Sequence, residues 1–153
     1  MNEMKSESSQ VHELIAFRMG QQEYCVDVMA LREIRGWTPA TPLPHAPSHV
    51  LGVINLRGTV LPIIDLSARM GFAPAEPTTR HAIMVTEIGE QVVGLLVDAV
   101  SEIFSATADQ IQPTPDVATE MAKAVVRGVI PAEGRMISFL SLDTIPSSHA
   151  QIT

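Results

Sequence analysis

A single cysteine, Cys25, serves the whole chain of 153 residues. That excludes an internal disulfide and a thiolate metal cluster and suits a reducing compartment; Cys25 itself reads as a small buried hydrophobe. Basic residues are scarce too. Ten Lys and Arg against 17 Asp and Glu leave a formal net charge of −7. No Lys/Arg run relieves that balance locally, so nucleic acid and other polyanions are poor partners. No apolar run approaches the roughly 18 residues of a membrane-spanning helix; Val92–Val97 is strand length. Residues 1–10, with Glu3, Lys5, Glu7, Ser8 and Ser9, lack the apolar centre of a secretory signal. They read as the flexible polar tail of a soluble, cytoplasmic chain.

Catalytic equipment is equally thin. There is no Gly-x-Ser-x-Gly elbow, and Cys25 has no supporting base, which leaves covalent catalysis without a nucleophile. Gly52 and Gly58 are neither spaced as a dinucleotide fingerprint nor followed by Gly-Lys-Ser/Thr, so no phosphate cradle is expected. His45 and His49 stand four apart, but Pro44 and Pro47 deny them the helix that would make them a metal pair, and a solvent-exposed loop is expected there. Asp65, Asp98 and Asp143 lie beside apolar runs, where carboxylates cap turns and helices more often than they act as acids or bases. The eight Met residues are scattered without a stripe, as core filling requires. The expectation is no catalytic residue, no metal and no cofactor.

What the sequence does hold is a duplication. An offset of 69 residues pairs His12 with His81, Gly20 with Gly89, Gln22 with Gln91, Val28 with Val97, Ala30 with Ala99, and Glu33-Ile34 with Glu102-Ile103. Farther along, an offset of 76 pairs Gly52-Val53-Ile54 with Gly128-Val129-Ile130, Gly58 with Gly134 and Leu66 with Leu142, so the second copy carries seven extra residues. Two copies fall short of the three or more that a solenoid needs. They predict two similar small barrels sharing an interface, roughly residues 11–79 and 80–145, between which strands can be exchanged.

Within each copy the signals are those of strands. Glu23–Val28 alternates, with Tyr24, Val26 and Val28 on one face and Glu23, Cys25 and Asp27 on the other, which predicts a half-buried strand. Gly20-Gln21-Gln22 joins it to a strand over Glu13–Met19, in a turn where Gly can take positive φ. Copy two repeats this with Ala82–Glu87, a turn at Gly89, and Gln91–Val97. Thr59–Leu66 and Arg135–Leu142 are further strands, each following a Gly. Pro39, Pro42, Pro44 and Pro47 bound an extended crossing segment. Helix is predicted over Asp116–Ala124, and more weakly over Asp27–Glu33 and Leu66–Met70.

One charged residue stands out. Arg57 interrupts the apolar run Gly52-Val53-Ile54-Asn55-Leu56-Arg57-Gly58-Thr59-Val60-Leu61-Pro62-Ile63-Ile64-Asp65-Leu66 at a turn tip, where it either solvates the hairpin, pairs with Asp65 or meets a partner. This run closely resembles the Gly-Val-Ile-Asn-Leu-Arg-Gly element of CheW-like proteins. Glu23-Tyr24, Leu31-Arg32-Glu33-Ile34, Pro44-His45-Ala46-Pro47, Val93-Gly94-Leu95-Leu96-Val97-Asp98-Ala99-Val100 and Ile111-Gln112-Pro113-Thr114-Pro115 resemble further elements of the same family. His49 departs from it, standing where an aromatic is common.

The resemblance implies an all-β fold with short helices, two packed five-stranded SH3-like barrels. It also implies a non-catalytic chemotaxis adaptor that couples the cytoplasmic tip of a chemoreceptor to the regulatory domain of a CheA-type histidine kinase, at membrane-associated arrays. Carried over by motif position, the receptor groove takes Leu31, Glu33, Ile34, Gly52 and Arg57 from copy one and Gly94, Val100 and Ile103 from copy two, with Glu33-Ile34 and Ile103 facing each other. It places no kinase-contact residues. The alternative is a sensory module that holds a small molecule in the cleft between the barrels.

Overall fold

Among the described residues, short apolar runs punctuated by glycine put most of the backbone hydrogen bonds into strand ladders. The computed structural model describes residues 10–114 and 125–144. The predicted helix over 116–124 and the predicted tail, apart from Gln10, lie outside them. The described elements are β1 (Val11–Met19), β2 (Gln22–Asp27), β3 (Leu31–Gly36), β4 (Val50–Leu56), β5 (Thr59–Asp65), α1 (Leu66–Arg69), β6 (Ala82–Ile88), β7 (Gln91–Val97), β8 (Ala99–Thr107), β9 (Val126–Ala132) and β10 (Arg135–Leu140).

They make two five-stranded sheets, ordered β8-β1-β2-β10-β9 and β3-β6-β7-β5-β4. Each draws a hairpin from one half of the chain and three strands from the other. Parallel pairs stitch the halves together: Ile63 of β5 sits beside Gly94 of β7, and their repeat counterparts Phe139 and Cys25 are partners between β10 and β2.

Both sheets close on themselves. The chain leaving edge strand β3 crosses to the far edge, where Thr41 N–H donates to the Val53 carbonyl (2.8 Å) and Val53 N–H donates back (2.9 Å). The chain leaving β8 does the same at Gln112 and Val129, with both bonds at 2.8 Å. Barrel I is the sheet containing β1, and barrel II the sheet containing β3. The paired glycines explain why the crossing repeats. A Cβ on Gly52 would stand 2.2 Å from the Thr41 carbonyl oxygen, and one on Gly128 2.8 Å from that of Gln112, so each crossing needs a residue without a side chain.

Strand parity sorts the apolar residues into three clusters. Leu14, Cys25, Ile130 and Ile137 fill barrel I, and Ile54, Leu61, Ile83 and Leu96 fill barrel II. Between them lies the largest cluster, built by Ile15, Phe17, Tyr24 and Val26 from one barrel and Ile64, Met84, Leu95 and Val97 from the other. Strands β1, β2, β6 and β7 therefore bury both faces, which is why Val92–Val97 is apolar without alternation.

This corrects the half-buried reading of Glu23–Val28: Glu23, Tyr24, Cys25 and Val26 are all buried, because one face lines barrel I and the other meets barrel II. The helix expected over Asp27–Glu33 is also corrected. Val28–Ala30 makes one 3-10 turn, capped by Asp27 accepting from Met29 N–H at 2.9 Å, and from Leu31 the chain is strand because its backbone groups pair with β6. The helix predicted at Leu66–Met70 forms as α1. His45 is exposed, whereas His49 is half-buried. Desolvation, assisted by Arg69, holds the pKa of His49 below its ordinary value.

Cys25 has no exposed surface, and burial pushes its thiol up to about 12, which leaves almost no thiolate at neutral pH. Labelling of the native protein by a thiol reagent is expected to be slow and to accelerate sharply in denaturant. Rapid native labelling would contradict the burial of β2.

Candidate functional site

In a regular strand, residues three apart point to opposite faces. Leu31 and Ile34 are three apart on β3, and Val100 and Ile103 are three apart on β8, yet all four face the interbarrel side. A bulge in each edge strand is the cause. The β3–β6 register shifts between Leu31 and Glu33, so that Leu31 pairs with Thr86 and Ile34 with Met84. The β8–β1 register shifts at the equivalent place, so that Val100 pairs with Phe17 and Ile103 with Ile15. One extra residue, Arg32 or Ser101, re-aims the side chains beyond it, as bulges at barrel rims do. Leu31 and Val100 both pack against the interbarrel cluster. Ile34 and Ile103 stand 45% and 59% exposed. The seam between the barrels is thus lined on both edges by apolar side chains that water still reaches.

Glu33 and Glu102 follow the bulges and take the opposite parity, over the two barrel mouths. Each is held by an arginine from the far hairpin. Arg57 donates to Glu33 at 2.5 Å, with Arg35 on the other carboxylate oxygen at 3.4 Å. The hydrogen bond from Arg57 holds the Glu33 carboxyl below the usual carboxylate range, Arg35 adding to the effect against some desolvation. Arg135, in barrel I, donates to Glu102 at 3.1 Å and to the buried Glu23 at 2.8 Å. Arg57 occupies a two-residue turn with Gly58, at φ 52° and 87°, and its counterpart Glu133 with Gly134 at 51° and 79°; these are positive-φ hairpin turns. The Asp65 pairing considered for Arg57 does not occur. Asp65 is 1% exposed and accepts from Ala68 N–H at 3.3 Å and Ala75 N–H at 2.8 Å, capping α1.

Of the predicted receptor residues, Leu31 and Ile34 lie on the interbarrel face of β3 with the Glu33–Arg57 pair on its opposite face, and Val100 and Ile103 lie on the interbarrel face of β8. Gly52 and Gly94 are buried. A Cβ on Gly94 would meet the side chains of Ile83 and Ile63 at 2.7 and 2.8 Å, so both glycines act through packing. Glu102, Arg135 and Met29 escaped the sequence reading. Met29, just before Leu31, is 86% exposed, which corrects core filling for that methionine; Met136, 57% exposed, is another. The signal for Glu102 was present in the repeat, as the partner of Glu33.

A hollow of about 450 Å³ opens between Tyr24, Phe72, Glu76, His81 and Asp98. Its central carboxylate is already engaged: Asp98 accepts from Gly20 N–H at 2.7 Å and lies 3.4 Å from His81 Nε2. Nothing there favours the small-molecule alternative. Among the described residues no group of three His, Cys, Asp or Glu converges as a metal site, and no helix is long and apolar enough to cross a membrane.

Comparison with known proteins places this geometry. The CheW-like domain family model matches residues 13–149. The chain is 60% identical over 140 residues to the chemotaxis protein CheW of Rhizobium meliloti, covering 91% of this chain and 90% of that one. It is 34% identical to the chemotaxis protein CheW of Klebsiella aerogenes, covering 90% and 82%. The crystal structure of the scaffolding protein TtCheW from Thermoanaerobacter tengcongensis superposes with a TM-score of 0.79 at 31% identity, covering 87% of this chain and 90% of that one. Two closed five-stranded sheets around a shared seam, matched along nearly their whole length, establish that the chain belongs to the CheW-like family.

Proposed function

We propose that this protein is a chemotaxis scaffold that docks the helical signalling tip of a chemoreceptor along the interbarrel seam and presents a separate surface to the regulatory domain of a CheA-type histidine kinase. The scaffold role follows from the family. The observation that carries the docking site is the pair of bulged edge strands, which line one seam with Leu31, Ile34, Val100 and Ile103. An amphipathic helix lays a stripe of side chains into such a groove, and polar groups at the rim set its register. The exposed Arg57, bonded to Glu33, supplies the polar rim beside β3. The protein works without chemistry of its own: Asp65 and Asp98 are committed to backbone N–H groups, and the Cys25 thiol stays protonated. Its place is the cytoplasmic face of a receptor array.

The test is ATP turnover by the kinase with this protein alone, with receptor alone, and with both. Stimulation is expected only when receptor and this protein are present together, and none of the turnover survives removal of the kinase. Equal stimulation without receptor overturns the coupling role.

A further inference from the structure

Burying a carboxylate is costly unless a cation and hydrogen bonds meet it. Glu23, 9% exposed on β2, is met by Arg135 of the neighbouring strand β10 at 2.8 Å. The same guanidinium reaches with its other terminal nitrogen to Glu102 on edge strand β8 at 3.1 Å. Arg135 thus ties the edge of barrel I to its buried middle. The atom it grips lies immediately after the bulge at Ser101, where the register slips between Val100 and Glu102. A bulged edge strand has lost ladder bonds on one side and has none on the other, so its local twist is set weakly by the sheet alone. The hydrogen bond to Glu102, followed by the charge of Glu23, raises the pKa of the Arg135 guanidinium against some desolvation.

We propose that Arg135 is a positioning residue for partner docking: by gripping Glu102 it fixes the bulge at Ser101, and with it the aim of Val100 and Ile103 into the seam. Arg135 itself touches no partner. The inference rests on the seam being the docking site, and it assigns to edge strand β8 a device of its own, distinct from the exposed Arg57. The geometry asks for arginine, because two carboxylates on different strands are bridged by a planar fork and not by the single ammonium of lysine.

Binding of a soluble coiled-coil fragment carrying a chemoreceptor signalling tip, and separately of the kinase regulatory domain, is measured for the full chain and for Arg135→Ala, Arg135→Lys, Glu102→Ala and the Arg135→Ala/Glu102→Ala pair. Arg135→Ala is expected to weaken fragment binding about fivefold to tenfold while kinase-domain affinity holds, with Arg135→Lys intermediate. Glu102→Ala, which leaves the Arg135–Glu23 pair intact, also weakens fragment binding, and the double variant loses no more than Arg135→Ala alone, because the Glu102 grip is already gone there. Unchanged fragment affinity in Arg135→Ala overturns the inference. So do additive losses in the double variant, and so does a parallel fall in both affinities across all four variants, which reports a general loss of fold. A parent chain that does not bind the fragment at all overturns the docking reading itself, an outcome separable from these.

Discussion

Gly52→Ala is expected to be among the most damaging single substitutions in this protein, lowering stability by about 3–5 kcal/mol and the melting temperature by on the order of 10 °C. Two causes add. Gly52 sits at φ 142°, which an L side chain rarely adopts, and the new Cβ would lie 2.2 Å from the Thr41 carbonyl oxygen and 2.6 Å from its carbon. Both atoms are backbone, so no rotamer change relieves the contact. The segment must move outward, and with it go the two Thr41–Val53 hydrogen bonds that close barrel II.

The repeat supplies its own controls. Gly128→Ala meets the Ile111 side chain at 2.6 Å and the Gln112 carbonyl oxygen at 2.8 Å without the φ strain, and costs about 1–3 kcal/mol. Gly58→Ala carries the strain alone, at φ 87° with nothing within 4 Å, and costs about 1 kcal/mol. Chemical denaturation of the three variants is expected to rank them Gly52, Gly128, Gly58. A Gly52→Ala variant no less stable than Gly58→Ala would mean that the crossing segment does not press on β4.

Local signals were the ones the sequence made legible. Gly20 and Gly89 take φ 63° and 61° at the tips of the two hairpins, and a turn glycine between two alternating runs needs no long-range information to be recognised. Asp65 capping α1 is likewise a contact over a few residues. The candidate site was harder, and β3 shows why. Leu31 and Ile34 are spaced as on one face of a helix, and the stretch from Asp27 to Glu33 is rich in helix formers. The bulge at Arg32 produces the same spacing in a strand, so periodicity alone cannot separate the two. What decides is the ladder to β6, some 50 residues away, which no local window contains. The double burial of Glu23–Val26 has the same origin, since its second face is covered by the other barrel. The repeat was the one non-local signal available. Glu33-Ile34 and Glu102-Ile103 matched at the same offset as the hairpins, and the structure gives both pairs the same bulge, the same face and an arginine.

Arg57→Ala is expected to weaken binding to the receptor-tip fragment about tenfold to a hundredfold while kinase-domain affinity holds and the melting temperature moves by about 2 °C or less. Its place on the molecule argues for a partner. Arg57 is 69% exposed on its side chain, against 37% for Arg135, and Glu33 occupies one terminal nitrogen. A guanidinium carries five N–H donors, and the remainder point outward from a turn tip that packing does not need. Because Arg57 lowers the pKa of Glu33, the pair stays ionised well below neutrality, and fragment affinity is expected to be flat between about pH 6 and 8. The competing account is that Arg57 acts only through Glu33, as Arg135 acts through Glu102. Glu33→Ala separates the two. If Arg57 merely positions Glu33 after its bulge, Glu33→Ala, Arg57→Ala and the double variant lose the same affinity. If the guanidinium also bonds the receptor, Arg57→Ala loses more than Glu33→Ala, because removing Glu33 leaves the cation in place. Fragment affinity unchanged in Arg57→Ala removes this residue from the docking site, and a large fall in melting temperature returns it to the fold.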